Sequence, residues 1–180
     1  EFFWKIDSDK PFQFRKVGKQ FPFNKFIREW LKDHSKDISR LISYDHISKE
    51  FIAKYYAYII KKLPAILYKG ESVLIHGDFI PGHLFVEKEQ NNYKITGIID
   101  FEFAAAFSPE YDFIKLHREG FFDDPELKKA LIDSYGSIEE EAVEVHRLSR
   151  DLGFAWAVLE AGNRELSDKI LKDIEERIAK

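Results

Sequence analysis

The stretch from Leu74 to Asp112, LIHGDFIPGHLFVEKEQNNYKITGIIDFEFAAAFSPEYD, constrains this chain more than any other part of it. Short apolar runs alternate there with turn residues, and acids and histidines stand at the ends of the runs. Ser72 to His76 reads as a buried strand and His76-Gly77-Asp78 as the turn that leaves it. His83 to Glu87 and Tyr93 to Ile99 read as two alternating strands around a Gln90-Asn91-Asn92 turn. That order of elements sends Asp78, His83 and Asp100 toward one cleft.

The spacing fits phosphoryl transfer. This chemistry needs a carboxylate that orients the attacking hydroxyl and accepts its proton, together with ligands that hold magnesium against the nucleotide phosphates. In protein kinases an Asp is followed five residues later by an Asn, and a metal-binding Asp comes after the next hairpin. Here Asp78 is followed five residues later by His83, and Asp100 ends the next strand. The order is kept while the amide has become an imidazole. Taken singly, an acid in a turn is usually a helix cap or a solvated group, and a His after a Gly is usually a loop residue. The specific signal is the combination.

On these residues the chain resembles the aminoglycoside phosphotransferase and choline kinase superfamily of small-molecule kinases. His76-Gly77-Asp78-Phe79-Ile80-Pro81-Gly82-His83 and Ile99-Asp100-Phe101-Glu102, followed by Ser108-Pro109-Glu110-Tyr111-Asp112-Phe113, carry the resemblance. It runs from about Val73 to Leu116, and more weakly through Tyr135-Gly136-Ser137-Ile138 to Gly162-Asn163. It is nearest in motif to aminoglycoside 2''-phosphotransferases and macrolide phosphotransferases that carry His in place of the metal-binding Asn. The resemblance implies a mainly helical α+β fold, a protein kinase-like C-lobe whose short β-hairpins carry the catalytic and metal loops. It implies Asp78 as catalytic base, His83 and Asp100 as ligands of Mg2+, and His76 and Asp112 as structural support of the loop. Glu102 takes the third position of the DFG-like triplet, and its role is left open. Ser108-Pro109-Glu110 is equally a good helix start, which gives Asp112 a purely structural alternative.

Composition bounds the remaining classes. Of 180 residues, 44% are hydrophobic, enough for one domain with its own core. A net charge of −4 argues against nucleic acid or an anionic membrane as partner. No cysteine is present, so no disulfide or thiolate metal site exists, which is compatible with a cytoplasmic location. No apolar run reaches the length of a membrane span.

The chain contains no methionine and begins Glu1-Phe2-Phe3-Trp4. It is therefore expected to be a fragment, and the resemblance names the missing part: an N-lobe whose strand lysine and helix glutamate grip the phosphates. No Gly-x-Gly-x-x-Gly is present, and Lys16, Lys19 and Lys25 read as a solvated edge. Residues 1–22 are expected to be a linker or remnant of that lobe, and 23–180 the C-lobe. The nucleotide-binding residues are unknown on this reading, because most contacts to ATP or GTP would lie in the missing lobe.

Helices account for most of the rest. After Pro22, Phe23, Phe26, Ile27, Trp30 and Leu31 share one helical face. Ser43 or Asp45 is expected to cap a second helix, with Phe51, Ile52, Tyr55, Ile59 and Leu63 as its apolar stripe. Ser108 to Arg118 reads as a helix ending at Gly120, and Asp124-Pro125-Glu126 opens another that stops at Gly136. Ser137 with Glu140 forms a capping-box pattern before a long helix through Leu159. A last amphipathic helix covers roughly Ser167 to Ala179.

The expected reaction transfers the γ-phosphoryl group of a nucleoside triphosphate to a hydroxyl of an aminoglycoside-like or other small metabolite. Two alternatives stand beside it: a non-catalytic kinase-like binding module, and a metallohydrolase that uses His76, Asp78, His83 and Asp100 as ligands. Drug-modifying relatives present acids to a polycationic substrate. Here Lys115, His117 and Arg118 follow Asp112, so the likeness breaks where drug recognition is expected. Glu139, Glu140 and Glu141 are better read as first-turn acids of a helix.

Overall fold

A computed structural model describes residues 2–6, 14–19, 23–66, 73–90 and 92–179, and side chains within those ranges from residue 31 onward except 33 and 106. The stripe expected at Phe23, Phe26, Ile27 and Trp30, and the side chains of Lys16, Lys19 and Lys25, lie outside the described side chains. The architecture is mainly helical α+β. The chain divides into two units, one made of Glu1–Gln20 with Lys69–Val143 and the other of Phe21–Tyr68 with Glu144–Lys180. Among the described residues no helix is long and apolar enough to cross a membrane.

The first unit holds three antiparallel strand pairs. β1 (Phe2–Ile6) pairs with β2 (Phe14–Lys19), a hairpin that the poorly periodic sequence of this segment does not announce. β3 (Val73–Ile75) pairs with β6 (Ala105–Phe107), and β4 (Leu84–Glu89) with β5 (Asn92–Ile98). Glu89 faces Asn92 across the last turn, so Asn92 belongs to the strand rather than to the turn. Burial departs from expectation. Only Ile75 of β3 is buried, and β4 and β5 are exposed along most of their length, including Phe85, Val86, Tyr93 and Ile95. Alternation of apolar and polar residues reports the pleat but not what covers either face.

Past the strands, the helix expected from Ser108 is two pieces, a 3-10 turn at Pro109–Asp112 and α3 (Phe113–Arg118). Ser108 does not cap it through its side chain; its hydroxyl instead donates to the carboxylate of buried Glu110. α4 (Pro125–Tyr135) begins and ends as its sequence foretells. The Asp124 carboxylate accepts from the amides of Glu126 and Leu127, and Gly136 leaves the helix at φ +102°. Phe113, Leu116, Phe122 and Val143 form the buried core of this unit, with Phe79, Phe121, Leu131 and Ile138 packed on it.

The second unit is helical. It contains α1 (Phe23–Ser43), α2 (Lys49–Lys62), most of α5 (Glu140–Glu160) and α6 (Arg164–Ile178). The cap of α2 is Ser48, whose hydroxyl accepts from the Phe51 amide at 3.0 Å, and not Ser43 or Asp45. Asp45 sits at φ +51° just beyond the end of α1. Likewise α5 starts at Glu140, with the Glu139 carbonyl accepting from Ala142 and Val143, so Ser137 lies outside the first turn. The Asn163 side chain caps α6, which begins at Arg164, three residues ahead of the expected start.

Helical spacing builds this unit's core: Ile38 and Leu41 from α1, Phe51, Tyr55 and Ile59 from α2, Val145, Leu148, Leu152 and Ala155 from α5, and Leu171 and Ile174 from α6 are all buried. A Cβ on Gly153 would stand 3.1 Å from an Asp37 carboxylate oxygen, so glycine lets α1 approach α5 closely. Arg147 on α5 donates to Asp151 at 3.2 Å and to Asp173 at 2.7 Å, and Arg177 donates to the same Asp173 and to Glu144.

Candidate active site

All six residues singled out in the sequence lie in the first unit, five of them at the ends of β3 and β5 or in the turns that follow and Asp112 in the 3-10 turn after β6. Gly77 makes the sharp exit from β3. Its φ is +79°, and an added Cβ would sit 2.8 Å from the carbonyl carbon of Phe103 and closer still to its oxygen. Only glycine fits both demands, which fixes the residue between His76 and Asp78.

Asp112 clamps this turn. Its Oδ2 accepts from the His76 amide at 2.8 Å and its Oδ1 from the Gly77 amide at 2.7 Å. Burial raises the pKa of this carboxyl, and the two amides act in the opposite direction because they favour the ionised form.

His76 is buried among aromatic rings, tilted against Phe101 at 4.6 Å and stacked on His83 at 5.6 Å between centroids. Its Nδ1 accepts from the Asp78 amide at 3.3 Å, which leaves Nε2 to carry the proton and donate to the Ile99 carbonyl at 2.8 Å. Both ring nitrogens are engaged with backbone, so His76 holds the end of β5 against the turn after β3. That use leaves it no lone pair for a metal, which removes one of the four ligands the hydrolase alternative requires.

His83 closes the 3-10 turn Pro81–His83. Its Nδ1 lies 2.9 Å from the carbonyl oxygen of Asp78. A carbonyl only accepts, so Nδ1 carries a proton and Nε2 is the nitrogen turned toward Asp100, 3.3 Å from Oδ2. Asp100 itself adopts the left-handed conformation at φ +67°, ψ +54°, an uncommon one for a residue with a side chain, and its carboxylate is 44% exposed. His83 thus donates to the loop of Asp78 from one nitrogen and faces the carboxylate of Asp100 with the other. Glu102 lies exposed on the next 3-10 turn, Phe101–Phe103.

The Asp78 side chain carries a contact that sequence reasoning missed. Its Oδ1 forms an ion pair with Nζ of Lys115 on α3. Lys115 stands out in sequence as a basic residue where acids are expected, but no local pattern says that it reaches Asp78.

The donor set fits a magnesium site of the kinase kind. Among the described residues no group of three or more His, Asp or Glu could hold a metal by itself. Magnesium does not require one, since it keeps several waters and is commonly held by one or two protein groups with substrate phosphates. Nε2 of His83 and the Asp100 carboxylate face each other across the gap where such an ion would be shared.

No curated protein and no solved structure matches the chain. The model of the phosphotransferase enzyme family matches residues 12–161, a span that includes every site residue described above. The mainly helical α+β fold is that of a kinase-like C-lobe, and the chain belongs to this family of small-molecule phosphotransferases, within the aminoglycoside phosphotransferase and choline kinase superfamily.

Proposed function

We propose that this chain is the catalytic lobe of a small-molecule kinase that transfers the γ-phosphoryl group of ATP or GTP to a hydroxyl of a small acceptor. The observation that carries the reading is His83, which donates from Nδ1 to the Asp78 carbonyl and turns Nε2 to Asp100. The arrangement brings the loop of the base beside the second carboxylate, which supports in-line transfer.

Asp78 aligns the acceptor hydroxyl and takes its proton as the new oxygen–phosphorus bond forms and the bond from the γ-phosphorus to the leaving nucleoside diphosphate breaks. Asp112 and His76 hold the turn so that Asp78 needs no reorganisation during the step. Magnesium held by His83 and Asp100 would neutralise charge on the phosphates. The partners on this reading are the nucleotide, the hydroxyl-bearing acceptor and an N-lobe of the same protein.

The test is a screen of the full gene product with magnesium and γ-labelled ATP or GTP across aminoglycosides, choline-like amines and sugars. Label should pass to at least one acceptor. Asp78→Asn should cut turnover by about 10²–10⁴-fold, the usual worth of a positioned base, and leave nucleotide binding intact. Wild-type-like turnover in that variant would remove Asp78 from the role. Nucleotide binding with no transfer to any acceptor would favour the binding module.

A further inference from the structure

Lys115 places a cation at the point where the acceptor must arrive. Its ammonium is paired with Oδ1 of Asp78, and the two side chains are 25% and 15% exposed, so the pair is sheltered yet reachable from solvent. A hydroxyl aligned by the other oxygen of Asp78 has to approach beside that ammonium. The last turn of α3 holds a second cation, Arg118.

Two consequences follow for the acceptor. The charge of Asp78 is already balanced, so it offers a second cation little attraction. Were Lys115 uncharged, Asp78 would attract an acceptor ammonium about 5 Å away by an amount worth roughly a hundredfold in affinity at an effective dielectric constant near 20, and the ion pair cancels that attraction. A neutral hydroxyl compound is indifferent to that cancellation, and an anionic group next to the hydroxyl is spared the repulsion that an unpaired Asp78 would exert.

We propose that Lys115 is a specificity-determining residue that cancels the attraction of Asp78 for a cationic acceptor and so favours neutral or anionic hydroxyl compounds over those whose reacting hydroxyl is flanked by an ammonium group. The inference rests on the assignment of Asp78 as the residue that aligns the acceptor.

The experiment measures binding of kanamycin, glucose and glucose 6-phosphate to the full gene product by calorimetry with magnesium and ADP present, in the wild type, Lys115→Gln and Lys115→Arg. Lys115→Gln is expected to tighten kanamycin and weaken glucose 6-phosphate by at least about tenfold each, with glucose little changed. Lys115→Arg, which keeps the charge, should retain the wild-type order. Kanamycin binding no tighter in Lys115→Gln than in the wild type, including binding by neither, overturns the proposal, as does an equal shift in Lys115→Arg. Label transfer run in parallel separates the two readings. Transfer without the affinity shift sinks the role of Lys115 alone, whereas the shift without transfer to any acceptor keeps Lys115 as a residue that selects the bound ligand by charge and sinks the kinase assignment.

Discussion

Each of the two units of this chain is held together internally by its own means. In the helical unit, stripes at helical spacing put Leu148 and Leu152 at 0% exposure, with Ile38, Tyr55, Ile59 and Ile174 buried likewise. In the unit that carries the candidate site, β4 and β5 are mostly exposed, and the loops around Asp78 are fixed by directed polar contacts: two amides on Asp112, a ring nitrogen on the Ile99 carbonyl, another on the carbonyl of Asp78. Apolar burial is non-directional and scales with area, so it supplies stability. Hydrogen bonds contribute little net energy but fix angles and distances, which is what a reacting carboxylate needs. The contrast predicts that truncations in the helical unit cost stability, while those around the site cost activity out of proportion to stability.

Leu152→Ala is the strongest challenge to this contrast. Leu152 is fully buried in the middle of α5, and truncation of such a leucine removes transfer energy and leaves a cavity, together about 3–5 kcal/mol. Urea unfolding followed by far-ultraviolet circular dichroism should show that loss. A cost under about 1 kcal/mol would mean that the helical unit does not depend on its apolar stripe.

Acid probes the same core through a buried base. Burial pushes His146 on α5 down to about 4, helped by the nearby His34. Its folded pKa lies below the ordinary value of about 6.5, so the unfolded chain binds the proton more readily between the two. Stability from this group is complete above about pH 6.5, falls as the pH drops, and is lost by about pH 4, a total of roughly 3 kcal/mol. His146→Leu should flatten the pH dependence of unfolding by about that amount between pH 7 and 4. Parallel curves for the two proteins would remove His146 as the cause.

How much of this was legible in the sequence depended on how local each determinant is. The exit turn, the β4–β5 hairpin and α4 with its Asp124 cap are written within a few neighbouring residues, and they formed where read, to within a residue or two. The start of α2 was misplaced because Ser43, Asp45 and Ser48 are all cap types within one short segment. The winner was the residue whose oxygen reaches the Phe51 amide, while Asp45 was taken by the left-handed turn after α1. At the site, the order Asp78, His83, Asp100 is written in the sequence, and in the structure His83 lies 2.9 Å from the Asp78 carbonyl and 3.3 Å from the Asp100 carboxylate. What sequence could not announce was contact across the fold. The Phe103 carbonyl that forbids a side chain at Gly77, the Ile99 carbonyl that fixes the tautomer of His76 and the Lys115 ammonium on Asp78 all come from segments remote in sequence.

Asp112 offers the finest test of the contrast, because its energetic and geometric roles pull apart. Asp112→Ala leaves the amides of His76 and Gly77 without their acceptor, a loss of about 1–3 kcal/mol for each one that stays buried. Burial also raises the pKa of the carboxyl, which shows that the ionised group is itself costly to enclose, and its removal recovers part of that cost. The net change in unfolding free energy should therefore be only about 2 kcal/mol, smaller than for Leu152→Ala. The pH sign is opposite to that of His146. The folded carboxyl takes up its proton at a higher pH than the unfolded one, so at this group a falling pH favours the folded state. Geometry should suffer more than energy, since Asp112 holds both amides at once. Asp112→Asn, which keeps one acceptor oxygen, should recover about half of the stability and less of the phosphoryl transfer. If Asp112→Ala lowered transfer only in proportion to the folded fraction, the clamp would be an ordinary stabilising contact, and the division of labour between the two units would not hold at the residue where it should be sharpest.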